Sequence, residues 1–495
     1  MRARVDALTG RVSMYRLATI TLTIVLAQAV MFAFLGAIGP DPYAILATFG
    51  VVIVATLGAN EVAARLAQVV PHRESSVITA LIITCIVQPS LTTIGLAVAA
   101  GASVLAVLSK YLIVWRGRHL LNPAATGVLV AGIIGYYVGQ GVGFWWIATP
   151  ALLPAVAVGA LLLLDRTRRL DVGLIFIALT IVIIGARLVL TGTAPLGAVT
   201  TVLQLFPVVF LAGFMLSEPQ TLPPRRWQQW LTAAVVAVAF SVPFGFGPIY
   251  TSPELALVVG NIVAFAVSRR DGFSVRVLER RALSPAATEW LFEPSRPLRF
   301  EAGQYLELHL PHKTDIRGMR RTFSIASSPE RAATEADRRV AIGMRTPENG
   351  SSFKAALATL EPGTRIAATQ IAGDFVLPRD ASIPLLLLAG GIGVTPFASQ
   401  LESLVTRGEK RDIVVVIVPS NPDEVLYRET IEAAGARLVT LARDELTTDA
   451  LREVVPDLAS RRAYVSGPPA VVAAARSALR RAGAKRVLTD YFAGY

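Results

Sequence analysis

The feature that most constrains this chain is a change of texture near residue 268. Before it the sequence is dominated by long uncharged apolar runs, and after it Arg, Glu and Asp crowd in. Apolar runs of roughly the length that crosses a bilayer fall near 16–36, 43–58, 74–88, 91–114, 122–138, 147–164, 171–189, 198–217, 228–245 and 253–268. These segments, about ten in all, predict a polytopic α-helical membrane domain over 1–270 and a soluble remainder. A chain of 495 residues that is 53% hydrophobic is too long for one ordinary domain, and too apolar to be wholly soluble.

The loops between the runs alternate in charge. Arg65 and Arg73, then Lys110, Arg116 and Arg118, then Arg166, Arg168 and Arg169, then Arg225 and Arg226 occupy every second loop. The intervening loops, at 37–42, 89–90, 139–146, 190–197 and 246–252, contain no Lys or Arg. Cationic loops stay on the cytoplasmic side, so both ends of the helical half are expected there, in a multi-pass cell-membrane protein. The first run follows Arg2, Arg4, Arg11 and Arg16 without a small-residue cleavage site, so no cleavable signal peptide is expected. The formal charge of +12 is spread over short loops and the globular tail, and no nucleic-acid partner is expected from it. Cys85 is the single cysteine, which leaves no iron–sulfur or zinc framework, and no metal site is predicted. His72 and His119 fall at loop edges rather than facing one another within spans, which disfavours a haem pair.

Two polar interruptions stand out in the helical half. Asn122-Pro123 reads as an N-cap followed by proline at the first helical position. With Arg118 and His119 beside it, that helix end is either an anion site or an ordinary helix start. The other interruption is the outer loop Thr191-Gly192-Thr193-Ala194-Pro195-Leu196-Gly197. Together with Gly117 to Gly127 and Ser217-Glu218-Pro219-Gln220-Thr221-Leu222-Pro223, these runs resemble the membrane subunits shared by sodium-pumping NADH:quinone reductase and the Rnf complex, the NqrB/RnfD family. The resemblance implies a second flavin, FMN, in the helical half, esterified in that family to a threonine of an outer Ser-Gly-Ala-Thr loop. Matching the glycines puts Thr191 at the serine, Thr193 at the alanine and Ala194, which has no hydroxyl to esterify, at the acceptor. Thr193 serves only if the loop shifts by one residue. The family's aspartate before proline is Glu218 here.

From about 272 the pattern changes to short strands with turns: Phe273 to Glu279, Leu298 to Phe300, Tyr305 to Leu310, Arg339 to Met344 and Thr364 to Ile371. This predicts a small antiparallel β-barrel over 271–380. Over 381–495 strands and helices alternate: Pro384 to Leu388, Pro396 to Arg407, Asp412 to Val418, Glu424 to Ala434, Arg437 to Ala442, Arg462 to Val465 and Ala470 to Gly483. Such alternation predicts an α/β domain with a parallel sheet. At its start, the apolar run Leu385 to Ala389 leads into Gly390, Gly391, Gly393, Thr395 and Pro396, a strand, a glycine turn and a helix opening where a dinucleotide pyrophosphate would sit. Alone, that turn fits tight backbone packing as well as it fits ligand binding.

The order Gly303-Gln304-Tyr305, Arg321-Thr322-Phe323-Ser324, Gly350-Ser351-Ser352, Gly390 to Pro396 and Ser466-Gly467-Pro468-Pro469 resembles the ferredoxin–NAD(P) reductase superfamily. The resemblance implies FAD and NADH or NADPH as cofactors. It places Arg321 on the flavin diphosphate, Phe323 against the isoalloxazine and Ser324 beside the ring nitrogen that accepts hydride. Gly350, Ser351 and Ser352 donate to flavin phosphates, and Gly467 and Pro468 lie at the nicotinamide edge. Ser466 stands where the superfamily commonly has cysteine, and Phe492 or Tyr495 supplies the terminal aromatic that covers the flavin. These residue types suit their tasks: Arg is a fork for phosphate, an aromatic gives a stacking face, and a hydroxyl donates or accepts. Ser420-Asn421 supplies neither a ribose carboxylate nor a phosphate-binding arginine, so the sequence leaves NADH and NADPH both open.

The expected enzyme is an NAD(P)H-dependent FAD oxidoreductase in a lipid bilayer. Its acceptor is reached through the helical half, on the far side of the membrane, or is a quinone or cytosolic protein reached from a tethered reductase. A transporter with a redox-sensing tail ranks last, because Arg187 is the main charge near a span end.

Overall fold

The computed structural model describes residues 14–491 apart from 69–70, 72, 116–117, 269–271, 313–318, 335–337, 346–350 and 422–423. The chain divides into two compact units, Met1–Arg269 and Arg270–Tyr495.

The first unit is helical: α1 Met14–Phe34, α2 Pro42–Leu66, α3 Arg73–Ile86, α4 Thr93–Leu112, α5 Pro123–Tyr137, α6 Leu153–Arg166, α7 Leu170–Leu190, α8 Pro195–Leu205, α9 Val208–Leu216, α10 Arg226–Ser241 and α11 Pro253–Val267. Caps fix several starts. Asp41, Thr92, Asn122 and Ser252 each accept a backbone N–H from the first turn, and proline follows at the start of α2, α5 and α11. Two short ladders, β1 Val114–Trp115 with β2 Arg118–His119 and β3 Gly245–Phe246 with β4 Ile249–Tyr250, close hairpins between helices.

Helix length bears out part of the expectation of about ten spans. Among the described residues, four helices, α1, α2, α4 and α7, have 21, 25, 20 and 21 residues and are long and apolar enough to cross a bilayer. The pair α8 and α9, bent by 59° at a short break, makes a fifth if counted as one. The other described helices are shorter: a 15-residue helix such as α5 or α11 rises roughly 22 Å, against a core about 30 Å thick. Only 28–39% of each long helix's apolar window is buried, and the outward positions are themselves apolar, Val54, Val182 and Leu190 among them. Small residues set the helix spacing. A Cβ on Gly127 would lie 2.3 Å from the Ala102 carbonyl oxygen, and one on Gly213 would lie 2.3 Å from Ala160 Cβ, so α5 meets α4 and α9 meets α6 at near backbone contact.

The second unit begins with β5 Phe273–Ser284, β6 Ala287–Pro294, β7 Tyr305–His309, β8 Arg320–Ser324, β9 Val340–Arg345 and β10 Arg365–Ala372, with α12 Pro329–Ala333 and α13 Ser352–Ala358 between strands. They form one antiparallel sheet of order β8-β7-β10-β5-β6-β9, a half-barrel whose edges approach at the Ile325–Ile342 bridge. Trp290, Phe292, Leu306, Leu308, Ile342 and Phe353 fill it. Leu298 to Phe300, expected as a strand, is irregular: Leu298 is buried and its N–H donates to the Ala332 carbonyl, a contact outside the ladder. In its place β6 and β8 are strands.

The unit continues with β11 Leu385–Gly390, α14 Thr395–Thr406, β12 Ile413–Val418, α15 Arg428–Ala433, β13 Arg437–Thr440, α16 Thr448–Val454, β14 Arg462–Gly467, α17 Pro469–Ala482 and β15 Val487–Tyr491. All pairings are parallel, in the order β13-β12-β11-β14-β15. The apolar strands β11 and β12 are buried along their whole length, as a sheet covered on both faces requires. Strand order reverses between β11 and β14, so a crevice opens beyond their carboxyl ends.

Candidate functional site

The half-barrel places the first set of predicted residues by register. Tyr305 pairs with Ser324, Leu306 with Phe323 and Leu308 with Arg321, and strand alternation puts Arg321 and Phe323 on one face and Ser324 on the other. Arg321 is buried, with its guanidinium 5.6 Å from the centre of the Phe353 ring; Phe323 lies 5.8 Å from the same ring. Ser351 caps α13, and the Ser352 hydroxyl lies 3.0 Å from His312 Nε2. His312 Nδ1 is 2.8 Å from the Leu310 carbonyl, which can only accept. In the neutral ring Nε2 is therefore the acceptor, and Ser352 donates to it. Arg321, Phe323, Ser352, His312 and Phe353 thus form one cluster, with the cation and hydroxyls a flavin diphosphate needs. Gly350, Phe492 and Tyr495 lie outside the described residues.

The glycine turn is built by close approach. A Cβ on Gly393 would lie 2.4 Å from the Ser466 carbonyl oxygen and 2.6 Å from Gly467 Cα, so the turn after β11 and the end of β14 touch backbone to backbone. Gly391 and Gly467 have φ of +51° and +143°, angles that glycine adopts without strain. Gly390 packs beside Pro468 and Val471. Thr395 donates through its hydroxyl to the Ile392 carbonyl, and Pro396 opens α14. The turn is packed tightly and also lines the crevice at the point where strand order reverses.

Ser466 is the penultimate residue of β14, in register with Ala389 on one side and Asp490 on the other. Its hydroxyl is buried and has no hydrogen-bond partner among the described residues. Asp490 accepts a hydrogen bond from Ser324, and burial pushes its carboxyl up to about 6 against the lowering effect of that bond. Ser324 from the half-barrel and Ser466 from the parallel sheet are thereby gathered around one acid. Sequence reasoning gave Asp490 no role, because only the parallel register of β14 and β15 shows its place. His312 and Phe353 were missed as well, although Phe353 follows the Ser351-Ser352 motif directly.

A fit to the two cofactors rests on these observations: a buried guanidinium beside hydroxyls in the half-barrel, a glycine-lined crevice at the strand-order reversal, and a buried hydroxyl left over at its edge. Fold and site together define a two-domain flavin and nicotinamide-nucleotide reductase.

No protein-family model matches the chain. It is 32% identical over 195 residues to an NADPH oxidoreductase of Mycobacterium tuberculosis, covering 37% of this chain and 50% of that protein. It is 31% identical over 199 residues to ferredoxin–NADP reductase B of Sorangium cellulosum, covering 39% of this chain and 76% of that protein. The reductase subunit of an aromatic O-demethylase from an Amycolatopsis species is 30% identical over 223 residues, with 41% and 64% covered. Among solved structures, an Amycolatopsis cytochrome P450 reductase aligns at 27% identity and a TM-score of 0.39, over 45% of this chain and 70% of that one. Through this module the chain belongs to the ferredoxin–NADP reductase family, and the module is of the NAD(P)H-dependent FAD oxidoreductase type. It spans about half the length of the mycobacterial relative.

The motifs of the helical unit also come together. Asn122 Nδ2 donates to Glu218 Oε2 at 2.8 Å, the Asn122 N–H donates to Asn261 Oδ1 at 2.7 Å, and Arg169 donates to the Ser217 carbonyl at 2.6 Å. Beside them a cavity is lined by Tyr15, Ser75, Thr79, Asn122, Glu218 and Gln220. The Ala125 N–H is taken by the Asn122 side chain, and a carboxylate faces the helix end. Of the two readings of Asn122-Pro123, an ordinary capped helix start fits this arrangement. Thr193 follows the turn at Gly192, φ +97°, and its N–H donates to the Leu188 carbonyl.

Proposed function

We propose that the chain is a membrane-bound oxidoreductase in which the second unit takes hydride from NAD(P)H onto FAD and electrons pass to or through the helical unit. The observation that carries the reading is the meeting of Ser324, Asp490 and Ser466 on a chain whose other unit has four helices of span length. When bound, FAD would supply two-electron uptake as a single hydride and release of those electrons one at a time. The protein's part is positional. Arg321 with Ser351 and Ser352 holds the flavin diphosphate, Phe323 supports the ring, and Gly390 to Pro396 with Gly467 and Pro468 receives the dinucleotide. Ser466 offers its spare hydroxyl at the nicotinamide edge, and the Ser324–Asp490 pair holds or moves a proton. The cationic residues fall in every second loop, on one side, which supports both ends facing the cytoplasm, where reduced nicotinamide cofactors are found. An FMN in the helical unit is a further part of the reading, with Thr193 as the nearest hydroxyl to Ala194.

The test is electron passage in inside-out vesicles with an impermeant acceptor trapped in the lumen. Lumenal reduction on NAD(P)H addition is expected; external reduction alone, with one FAD per chain and no second flavin, overturns the conduit. A second reading, a tethered reductase of a quinone or a cytosolic protein, is favoured by one observation. The Tyr15, Asn122, Glu218 and Gln220 cavity offers hydrogen-bond donors and acceptors to a carbonyl-bearing ring.

A further inference from the structure

The parallel-sheet domain is electrically polarised the wrong way for its own ligand. At the carboxyl ends of its strands, where an anionic dinucleotide would sit, the described residues of 390–396, 418–427, 440–446, 466–470 and 490–491 contain one cation, Arg443, and four acids, Glu424, Asp444, Glu445 and Asp490. At the opposite pole, the segments leading into the five strands, 376–384, 407–412, 432–437, 452–462 and 480–486, contain twelve cations and six acids. Nucleotide binding does not account for that pole.

Local structure accounts for part of it. Arg461 is buried against Asp412 and Asp457, and Arg411 pairs with Glu409. Arg407, Arg452, Arg480 and Arg481 sit at helix C-termini, where the macrodipole favours cations. What remains is a row at the strand starts. Arg437 leads β13, Lys410 precedes β12, Arg462 begins β14, and Lys485 and Arg486 precede β15. None of these has an acid within ion-pair distance among the described residues, and all but Arg462 are exposed. Five strands side by side span roughly 19 Å, so the cations form a broad, shallow array rather than a pocket for one phosphate.

We infer that this cationic pole is a docking surface for the anionic phospholipid headgroups of the cytoplasmic leaflet. The inference rests on the membrane reading above. The occupant is argued from charge and reach. A wide, low array of Lys and Arg matches a planar field of mobile phosphates, and the five residues between Val267 and Phe273 limit the tether to roughly 20 Å. Each cation held near an anionic leaflet strengthens attachment on the order of fivefold, and the attraction weakens as salt shortens the screening length.

The test uses full-length protein in nanodiscs of phosphatidylcholine alone or with phosphatidylglycerol, read by amide hydrogen exchange. Slower exchange over 437–440, 462–464 and 480–487 is expected only with phosphatidylglycerol. It should be lost at high salt and in a Lys410→Gln, Arg437→Gln, Lys485→Gln, Arg486→Gln variant that keeps wild-type dye reduction. Equal exchange in both lipids overturns the proposal, and so does the same protection from added RNA in neutral discs. If the chain fails to enter nanodiscs the membrane reading falls, and vesicle sedimentation then decides the pole: selective pelleting with phosphatidylglycerol supports it, and no selectivity overturns it.

Discussion

Three side chains carry most of the proposed chemistry at the residue scale. Asp490 is held neutral up to about pH 6 by burial. Below that value its proton is available to Ser324, and above it the carboxylate accepts the Ser324 hydroxyl. The rate of hydride entry, followed by dye reduction, should show an inflection near pH 6 that disappears in Asp490→Asn, with a loss of about 10²-fold. A carboxyl raised on folding also binds its proton more tightly in the native state, so stability should fall as pH rises from the ordinary value of 3.8 through about 6. Arg321→Ala removes a buried guanidinium worth about 1.5–3 kcal/mol in charge-assisted bonds; FAD retention through gel filtration should drop at least tenfold while the fold persists. Ser466→Ala deletes a hydroxyl with no partner among the described residues, so Tm should hold or rise while KM for the nicotinamide nucleotide increases. Arg321, Phe323, Ser324, Ser466 and the glycines were legible because each belongs to a short motif with a chemical reason for its residue types. Asp490 was not, because its meaning depends on two strands distant in sequence.

Elements were legible where a period or a breaker marked them. The cap at Asn122 and the proline behind it gave a helix start, and the uninterrupted apolar run at Leu385 gave a buried parallel strand. Strands β6, β8 and β15 escaped because polar and charged residues interrupt them, and their strand character comes from neighbours: β6 from β5 and β9, β8 from β7, and β15 from β14. The span count is matched only in part, for another reason. Hydropathy reports how apolar a segment is, whereas helix length depends on where caps and breaks fall, and several apolar segments end after 14 to 16 residues. At this scale Gly393→Ala is the sharpest probe, since the new Cβ meets backbone on β14 rather than a movable side chain. A cost of about 1–3 kcal/mol is expected, with weakened nicotinamide-nucleotide binding and retained FAD, measured by thermal melting and by titration.

For the whole molecule, orientation is the testable claim. Cys85 is the single cysteine and is buried, so engineered cysteines report topology without background. In intact cells an impermeant maleimide should label Gly39→Cys and spare Arg168→Cys until the membrane is opened; the reverse pattern would invert the reading of the loops. The division of the chain was visible in its charge texture. Assignment of the electron acceptor was not, because it depends on what meets the helical unit rather than on any motif within it.

Helix α14 belongs to both halves of the reductase module. Its Ser399 hydroxyl donates to the Ser327 carbonyl, its Gln400 amide donates to the Phe375 carbonyl, and its Glu402 carboxylate receives the Ser328 N–H. A bolt through two plates keeps neither plate free: prising the flavin half from the nucleotide half would break these hydrogen bonds and open the packed surface they join to water. Heating should accordingly melt residues 272–491 as a single cooperative block, and the two halves would not be interchangeable cassettes to be swapped between relatives one at a time.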